Sequence, residues 1–350
     1  MNSMDISLLK RLTLAPGISG REGAVRDIVE EILGGLTAEI STDAMGSLIA
    51  RVSGEGPRLL IDAHMDEVGL MVQHVDELGF IRVVTVGGID PRVLYGQSVL
   101  VWGTEPLQGI IGSVPPHLLS EKDSQKERGI PVEELFVDVG LHPEEVKSQV
   151  KVGDPVTFPG IWSENDSFLQ AKAFDDRAGL FVMLEALKLI PEPGCDLYIV
   201  ASAQEEVGLK GAGPVARRIN PDLVLALEGT MANDLPGVPS HRIFARLGEG
   251  PEIRLSDGRF LADRAWSNFL VHLAKEAGIP YQVVVKKVGG TNAAALQVEG
   301  TGARAAALSV PVRYIHAPVS LLRKSDLEAA IALVAKLLRE VRRFEPDSFL

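Results

Sequence analysis

In the stretch Leu59-Leu60-Ile61-Asp62-Ala63-His64-Met65-Asp66, a short apolar run leads directly into a histidine and an aspartate. Apolar runs of this length, bounded by polar residues, are typical of strands buried in a parallel sheet. Ligands bind beyond the carboxyl ends of the strands in open α/β sheets. The stretch therefore predicts an α/β sheet that carries functional residues, His64 and Asp66, at a strand exit.

Three more apolar runs and one helix-like stretch are flanked by residues of the same types. They provide Glu205 and Glu206 after the run 197–200, Glu228 after the run 223–227, His316 at the end of the segment that begins at Ala305, and the acidic pair Asp175-Asp176. Imidazole and carboxylate groups are ligands for zinc, cobalt and manganese. Their recurrence at strand exits predicts a metal-dependent hydrolase.

Composition narrows the class of protein. The chain has 350 residues, of which 46% are hydrophobic, enough for one large domain with an insert. Its net charge of −12 disfavours nucleic acid and anionic membrane surfaces as partners. The single cysteine, Cys195, excludes an intrachain disulfide. No apolar run reaches the roughly 18 residues of a membrane span, and the first residues lack a secretory signal pattern. We therefore expect a soluble, cytoplasmic protein.

The character of the chain changes between residues 67 and 164. Short β-like runs alternate there with Gly- and Pro-rich turns, which predicts a small β-rich insert. The flanking segments 1–66 and 165–350 keep the α/β pattern and are expected to form one catalytic domain. The local signals in that domain are predicted helices over 176–190 and 262–277, and a capping box formed by Ser19 and Glu22.

Each candidate residue also has a purely structural interpretation when it is taken alone. Asp175 and Asp176 could compensate a helix dipole, and Glu205-Glu206 could be a solvated acidic turn. Neighbouring side chains point in different directions, so one of these glutamates could bind metal while the other acts as a general base. Asp66 need not be a ligand, because a carboxylate beside a ligating histidine often fixes the tautomer of its ring.

Five motifs in order give the chain a resemblance to the M42 family of metallopeptidases. They are AHMDEVG at 63–69, AFDDRAG at 173–179, QEEVGLKGA at 204–212, GGT at 289–291 and RYIH at 313–316. Each motif alone is weakly specific, but together they cover nearly the whole chain. The family includes glutamyl, leucyl, lysyl and deblocking aminopeptidases and the tetrahedral aminopeptidases, and some relatives have been labelled endoglucanases.

The resemblance implies a mixed-sheet α/β catalytic domain with helices on both faces, and a barrel-like insert at 67–164 that serves dimerisation. It also implies peptide substrates, a homo-oligomer that is a dimer or a dodecamer, and two divalent metal ions per subunit, with zinc or cobalt favoured over manganese. The implied ligands are His64, Asp175 and Glu228 for one metal, and Asp175, Glu206 and His316 for the other, with Asp175 bridging.

Glu205 would then be the general base, and Asp66 would orient His64. Three positions depart from the family pattern, because Glu228 and Asn292 replace residues that are often Asp, and Ser320 stands where a glutamate is usual. These departures leave the expected reaction class unchanged, whereas substrate preference is not carried over.

The leading hypothesis is a two-metal aminopeptidase that removes the N-terminal residue of peptides. One alternative is a non-catalytic or altered-substrate member of the family. Another is a glycoside hydrolase that uses Glu205 and Glu206, but its carboxyl groups must face each other about 5–9.5 Å apart, which adjacent residues seldom achieve. The segment 289–292 is a candidate wall of the substrate pocket, and His117 is a candidate contributor from the insert.

Overall fold

The structure is a computed structural model that describes residues 4–37, 39–115 and 130–350. Within these ranges, eleven strands form one mixed sheet and six strands form a closed barrel. The sheet contains β1 (Glu39–Thr42), β2 (Leu48–Val52), β3 (Arg58–His64), β10 (Ser163–Glu164), β11 (Phe168–Ala171), β12 (Asp196–Ser202), β13 (Leu223–Met231), β14 (Glu252–Ser256), β15 (Gln282–Val285), β16 (Arg304–Arg313) and β17 (Ser320–Arg323). The barrel contains β4 (Gly69–Val75), β5 (Ile81–Val86), β6 (Ser98–Trp102), β7 (Pro106–Gly112), β8 (Phe136–Asp138) and β9 (Pro155–Thr157).

The centre of the sheet is parallel. The strand order is β1-β2-β12-β3-β13-β16-β17-β11-β10, and β14 and β15 extend the sheet beside β16. Strands β12, β3, β13 and β16 run parallel, with Ser202 opposite His64 and Glu228 opposite Ser309. Their carboxyl ends therefore lie at one edge of the sheet, where a ligand site is expected.

Helices cover both faces of this sheet, as expected. They are α1 (Ile6–Leu14), α2 (Gly23–Gly34), α4 (Phe174–Leu189), α5 (Ala212–Ile219), α6 (Arg264–Ala277), α7 (Ala293–Leu296) and α8 (Lys324–Glu340), while α3 (Pro143–Gln149) belongs to the barrel segment. Alternate residues of β3 point to opposite faces. Leu59 and Ile61 pack in the core formed with α1, α2, α4, α6 and α8, and Leu60 packs in the core formed with α5 and α7.

The barrel has a hydrophobic core of its own, which includes Val72, Val83, Val101 and Val137. Its strands run from Gly69 to Thr157, and β10 at Ser163–Glu164 already pairs with β11 of the large sheet. The division of the chain at residues 67 and 164, and a role of the barrel in association, stay predictions. In the described ranges, no helix has the length and apolar character needed to cross a bilayer.

The predicted capping box at the start of α2 is wrong. Glu22 occupies the N-cap position, but no side chain caps the helix. The Glu22 carboxylate accepts hydrogen bonds from the backbone amides of Gly20, at 2.7 Å, and Gln204, at 3.1 Å. The Ser19 hydroxyl donates to Asp66 at 2.5 Å. Both polar side chains therefore join the N-terminal segment to the edge of the sheet, through Gln204 and Asp66, instead of capping the helix.

Candidate metal centre

His64 ends β3 and faces two carboxylates. Its Nε2 atom lies 3.3 Å from Asp175 Oδ1 and 3.7 Å from Glu228 Oε2. Its Nδ1 atom lies 3.0 Å from the backbone carbonyl oxygen of Asp66. If Nδ1 carries the hydrogen and donates it to this carbonyl, the Nε2 lone pair faces the carboxylates. This is the tautomer in which His64 can bind a metal ion.

His316 approaches the same aspartate from the other side. Its Nε2 atom lies 3.3 Å from Asp175 Oδ2 and 3.2 Å from Glu206 Oε1. Its Nδ1 atom lies 2.8 Å from the carbonyl oxygen of Gly88, which follows β5 of the barrel. The two oxygens of Asp175 thus face one histidine each, and the carboxylate lies between the two imidazoles.

The carboxylate of Asp66 positions the two adjacent glutamates. It accepts hydrogen bonds from the backbone amides of Glu205, at 2.9 Å, and Glu206, at 3.1 Å, as well as from Ser19. Burial disfavours the charged form of Asp66, but hydrogen bonds to His64, Ser19 and the Glu205 amide outweigh it and lower the pKa of Asp66. An ionised Asp66 therefore fixes the turn that carries both glutamates.

Asp176 has a different environment from its neighbour Asp175. Its Oδ1 accepts from the Gly179 amide at 2.8 Å, and its Oδ2 accepts from the His64 amide at 3.1 Å. Asp176 is fully buried. The side chain therefore joins the first turn of α4 to the end of β3.

Negative charge accumulates at this centre. Burial and the charges of Glu228 and Glu206 raise the pKa of Glu205 well above its usual value, despite the opposing effect of His64. Burial, together with Asp175, raises the pKa of Glu228 to about 7. Four carboxyl groups, including Asp175, thus share the space with only two imidazoles.

The donor set of this centre fits divalent cations. Ligand atoms of His64, Asp175 and Glu206 lie within 4.8 Å of one another, and so do those of His64, Glu205 and Glu228. Nitrogen and oxygen donors in such a set suit zinc, cobalt or manganese, and positive charge at this point would compensate the clustered carboxylates. The structure therefore gathers all five predicted ligands and both predicted catalytic residues at one edge of the sheet.

A cavity of about 140 Å³ opens beside this centre. Gly289 and Gly290 line it, in agreement with the expectation for this segment, and Phe244, Arg254 and Lys286 form another part of its wall. The last three residues were not identified from the sequence. A signal was present in β14, since two charged residues, Glu252 and Arg254, stand two positions apart on a strand that also contains Ile253 and Leu255.

These charged residues of the wall neutralise one another. Arg254 Nε donates to Glu252 Oε1 at 2.7 Å, and Arg254 Nη1 donates to Asp257 Oδ2 at 3.0 Å. Lys286 Nζ donates to Glu252 Oε2 at 3.1 Å and to Thr230 Oγ1 at 2.5 Å. Glu252 and Asp257 thus offset the positive charges of Arg254 and Lys286 in the wall.

Two further contacts were not predicted, namely the hydrogen bond from Ser19 to Asp66 and the contact of His316 with the Gly88 carbonyl. Neither serine nor glycine is a residue type that indicates a metal centre. His117 lies outside the described residues. His74, His142, His241 and His272 do not line the cavity or form part of the clustered ligand atoms.

The whole chain is similar to proteins of known sequence and structure. The model of a family described as M42 glutamyl aminopeptidase matches residues 46–333. A lysyl aminopeptidase of Pyrococcus furiosus is 34% identical, with 97% of this chain and 98% of that protein covered. Among solved structures, a TET aminopeptidase from a marine sediment Thaumarchaeota archaeon has a TM-score of 0.94 at 34% identity, with 99% of this chain and 98% of that chain covered. The TET1 peptidase of Pyrococcus horikoshii, described as assembling into a tetrahedron or a large octahedral shell, has a TM-score of 0.85 at 34% identity, with coverage of 97% and 100%.

Proposed function

Because the chain belongs to the M42 glutamyl aminopeptidase family, whose members are hydrolases acting as exopeptidases, we propose that it is a two-metal aminopeptidase. The observation that carries this proposal is the position of Asp175, whose two oxygens each lie 3.3 Å from a different histidine. One carboxylate placed between two imidazoles suits a pair of metal sites that share a bridging ligand.

In this proposal, each metal has three protein ligands. His64, Asp175 and Glu228 hold one metal, and Asp175, Glu206 and His316 hold the other. Bound divalent metals would supply Lewis-acid polarisation of the scissile carbonyl and lower the pKa of water. The pairing is supported by the distances from each histidine to its carboxylates, all between 3.2 and 3.7 Å.

Glu205 is proposed as the general base that takes a proton from the attacking water and passes it to the leaving amine. Burial raises the pKa of Glu205 well above its usual value, which favours retention of a proton that this carboxyl group has taken up. Asp66 contributes two acceptors. Its carboxylate accepts from the backbone amide of Glu205, and its backbone carbonyl accepts from the His64 ring. Glu205 also lies close to His64 and Glu228. Whether it acts as a base or as a metal ligand is therefore tested below.

The cavity lined by Gly289, Gly290 and Phe244 is proposed to receive the N-terminal residue of a peptide. It adjoins Glu205 and Glu228, which places a bound residue beside the reacting groups. The geometry gives less support to a glycoside hydrolase, since Glu206 faces His316 instead of opposing Glu205 across an open cleft. It also gives less support to a non-catalytic protein, because the candidate ligands and the proposed base lie together.

We further propose that the segment 67–164 mediates dimerisation, and that dimers assemble into a dodecamer. The support comes from the barrel with its separate core, and from the assembly described for the TET1 peptidase. Zinc or cobalt is the proposed metal, with manganese as an alternative. The acidic composition and single cysteine support a cytoplasmic location.

The central test is a panel of aminoacyl chromogenic substrates, assayed with cobalt, zinc and manganese added separately. We expect release of the chromophore from at least one substrate, loss of activity on chelation, and recovery when metal returns. Elemental analysis of desalted, loaded protein should give about two metals per chain. Full activity in protein shown to be free of metal would contradict the proposal.

A further inference from the structure

Three polar side chains form a closed triangle beneath the metal centre. Asn292 Nδ2 donates to Asp62 Oδ2 at 2.8 Å and to Ser202 Oγ at 2.7 Å. Ser202 also hydrogen-bonds to the Asp62 carboxylate. All three residues are at most 1% exposed. Hydrogen bonds between buried polar groups fix a local arrangement, and here Asp62 Oδ1 and Asn292 Oδ1 keep no hydrogen-bond partner among the described residues.

The triangle joins three segments that are far apart in sequence. Asp62 lies on β3 two residues before His64, and Ser202 is the last residue of β12. Asn292 ends the loop that includes Gly289 and Gly290, which line the cavity. Asn292 therefore anchors this loop to the two strands whose ends carry His64 and the pair Glu205-Glu206.

The anchored loop also contacts a proposed metal ligand. The backbone amide of Asn292 donates to Glu228 Oε1 at 3.3 Å, and the Thr291 side chain hydrogen-bonds to Glu228. The other carboxylate oxygen, Oε2, is the one that lies 3.7 Å from His64 Nε2. The loop thus holds one oxygen of Glu228 and leaves the other directed toward the centre.

We propose that Asn292, locked by Asp62 and Ser202, is a positioning residue that sets the orientation of Glu228 at the metal centre. The inference rests on the two-metal site proposed above. It predicts that an amide is required at position 292 as long as position 62 is a carboxylate, because the carboxylate can only accept. With an amide at position 292, position 62 is expected to tolerate either a carboxylate or an amide.

Counting donors gives different expectations for the two single substitutions. Asn292→Asp removes the NH2 group that serves both partners, and it places a second buried carboxylate against Asp62. Asp62→Asn keeps an oxygen that can accept from Asn292 Nδ2, and it adds a donor beside a residue whose Oδ1 atom is an acceptor without a hydrogen-bond partner among the described residues. The double variant Asp62→Asn with Asn292→Asp restores one amide and one carboxylate with the direction of donation reversed.

The experiment measures cobalt affinity and stoichiometry by calorimetric titration, together with kcat and KM. Loss of a partner that orients a ligand typically costs about 10–100-fold in metal affinity, so Asn292→Asp should weaken one of two cobalt sites by that order. Asp62→Asn should bind cobalt nearly as the wild type does. The double variant should recover most of the affinity that Asn292→Asp loses, which is the signature of direct coupling.

Asn268→Asp is the matched control, since Asn268 on α6 donates to the Phe349 carbonyl away from this centre. It should bind two cobalt ions with wild-type affinity. Circular dichroism and thermal unfolding of each chelated variant separate a folding defect from a loss of affinity. Wild-type cobalt affinity in folded Asn292→Asp protein, or no recovery in the double variant, would overturn the inference. A wild-type protein that binds no metal would overturn the proposed function and this inference together.

Discussion

At the scale of single residues, Asp175 organises the centre. Its carboxylate lies between His64 and His316. Burial favours the neutral form of this carboxyl group, but its hydrogen bonds to both histidines outweigh that effect and lower the pKa of Asp175. It is therefore ionised in the folded protein, whereas the surrounding glutamates have raised pKa values. Neighbouring carboxyl groups of this centre thus differ in the ease with which they hold a proton.

Glu205→Gln should separate catalysis from metal binding. Glutamine preserves the shape of the side chain but cannot accept a proton, so kcat should fall by about 10²–10⁴-fold with little change in metal content or folding. Glu206→Gln is the matched neighbour, and it should weaken metal binding. Steady-state kinetics and elemental analysis decide the outcome. Loss of a metal from Glu205→Gln, with both retained by Glu206→Gln, would exchange the two roles.

Glu228 should tolerate a shorter carboxylate but not its removal. Glu228→Asp keeps the carboxylate oxygens but shortens the side chain by one methylene group, so we expect substantial activity. Glu228→Ala removes them and should lose one metal per chain, as measured by elemental analysis after loading. Unchanged metal content in the alanine variant would remove Glu228 from the set of ligands.

Cys195 should be inert in the folded protein. The residue is fully buried, and burial raises the pKa of its thiol to about 12. Because the thiolate is the reactive form, iodoacetamide at pH 8 should leave the native protein unmodified and alkylate it once guanidinium unfolds the chain. Intact-mass spectrometry reports the adduct, and rapid modification under native conditions would contradict the buried position.

At the scale of secondary-structure elements, close contact between β13 and the start of α4 brings ligands together. A Cβ atom on Gly229 would lie 2.6 Å from the Phe174 carbonyl oxygen and 2.7 Å from Asp175 Cα. No side chain can be accommodated there without backbone movement. Glycine at this position therefore sets the distance between the strand that carries Glu228 and the turn that carries Asp175.

Gly229→Ala should consequently reduce both stability and metal affinity. Overpacking of this kind costs typically about 1–3 kcal/mol in the free energy of unfolding. Gly34→Ala is the control, because a Cβ atom there meets nothing within 4 Å and the residue ends α2. It should be neutral or slightly stabilising. Denaturant unfolding and cobalt titration of both variants provide the measurements, and equal results for the two would refute the steric argument.

The element scale also explains what could be predicted from the sequence. Buried strands were identifiable because apolar runs signal them, and His64 ends β3 as expected. The expected strand exit at Glu228 is wrong, because β13 continues to Met231, and His316 follows the end of β16 at Arg313. Helix α4 was predicted over 176–190 and runs from Phe174 to Leu189. Such features depend on residues that are close in sequence.

The partners that hold the site in place depend on contacts between distant residues. Asp66 accepts from Glu205 across 139 positions, and Asn292 reaches Asp62 across 230 positions. Ser19 had the local pattern of a helix cap, but its hydroxyl donates to Asp66. No local pattern specifies these pairs, because they arise only when the sheet and its loops are assembled.

At the scale of the whole molecule, we expect a homo-oligomer. Multi-angle light scattering at micromolar concentration should give at least the mass of a dimer, and a mass near twelve subunits would match the larger assembly. The chelated protein provides the control, since an assembly that depends on the barrel should persist without metal. Active protein that is entirely monomeric would contradict a role of the segment 67–164 in association.

The hydrogen bond of 2.8 Å between His316 and the Gly88 carbonyl connects the barrel to the ring of a proposed ligand. A smaller enzyme made by excising the barrel and joining the flanking chain would lose the acceptor that holds this imidazole. Exchanging the barrel for one from a relative would succeed only if the donor module offers a carbonyl at the same point. The two parts of this protein are therefore poor candidates for independent recombination, and engineering of one must include the other.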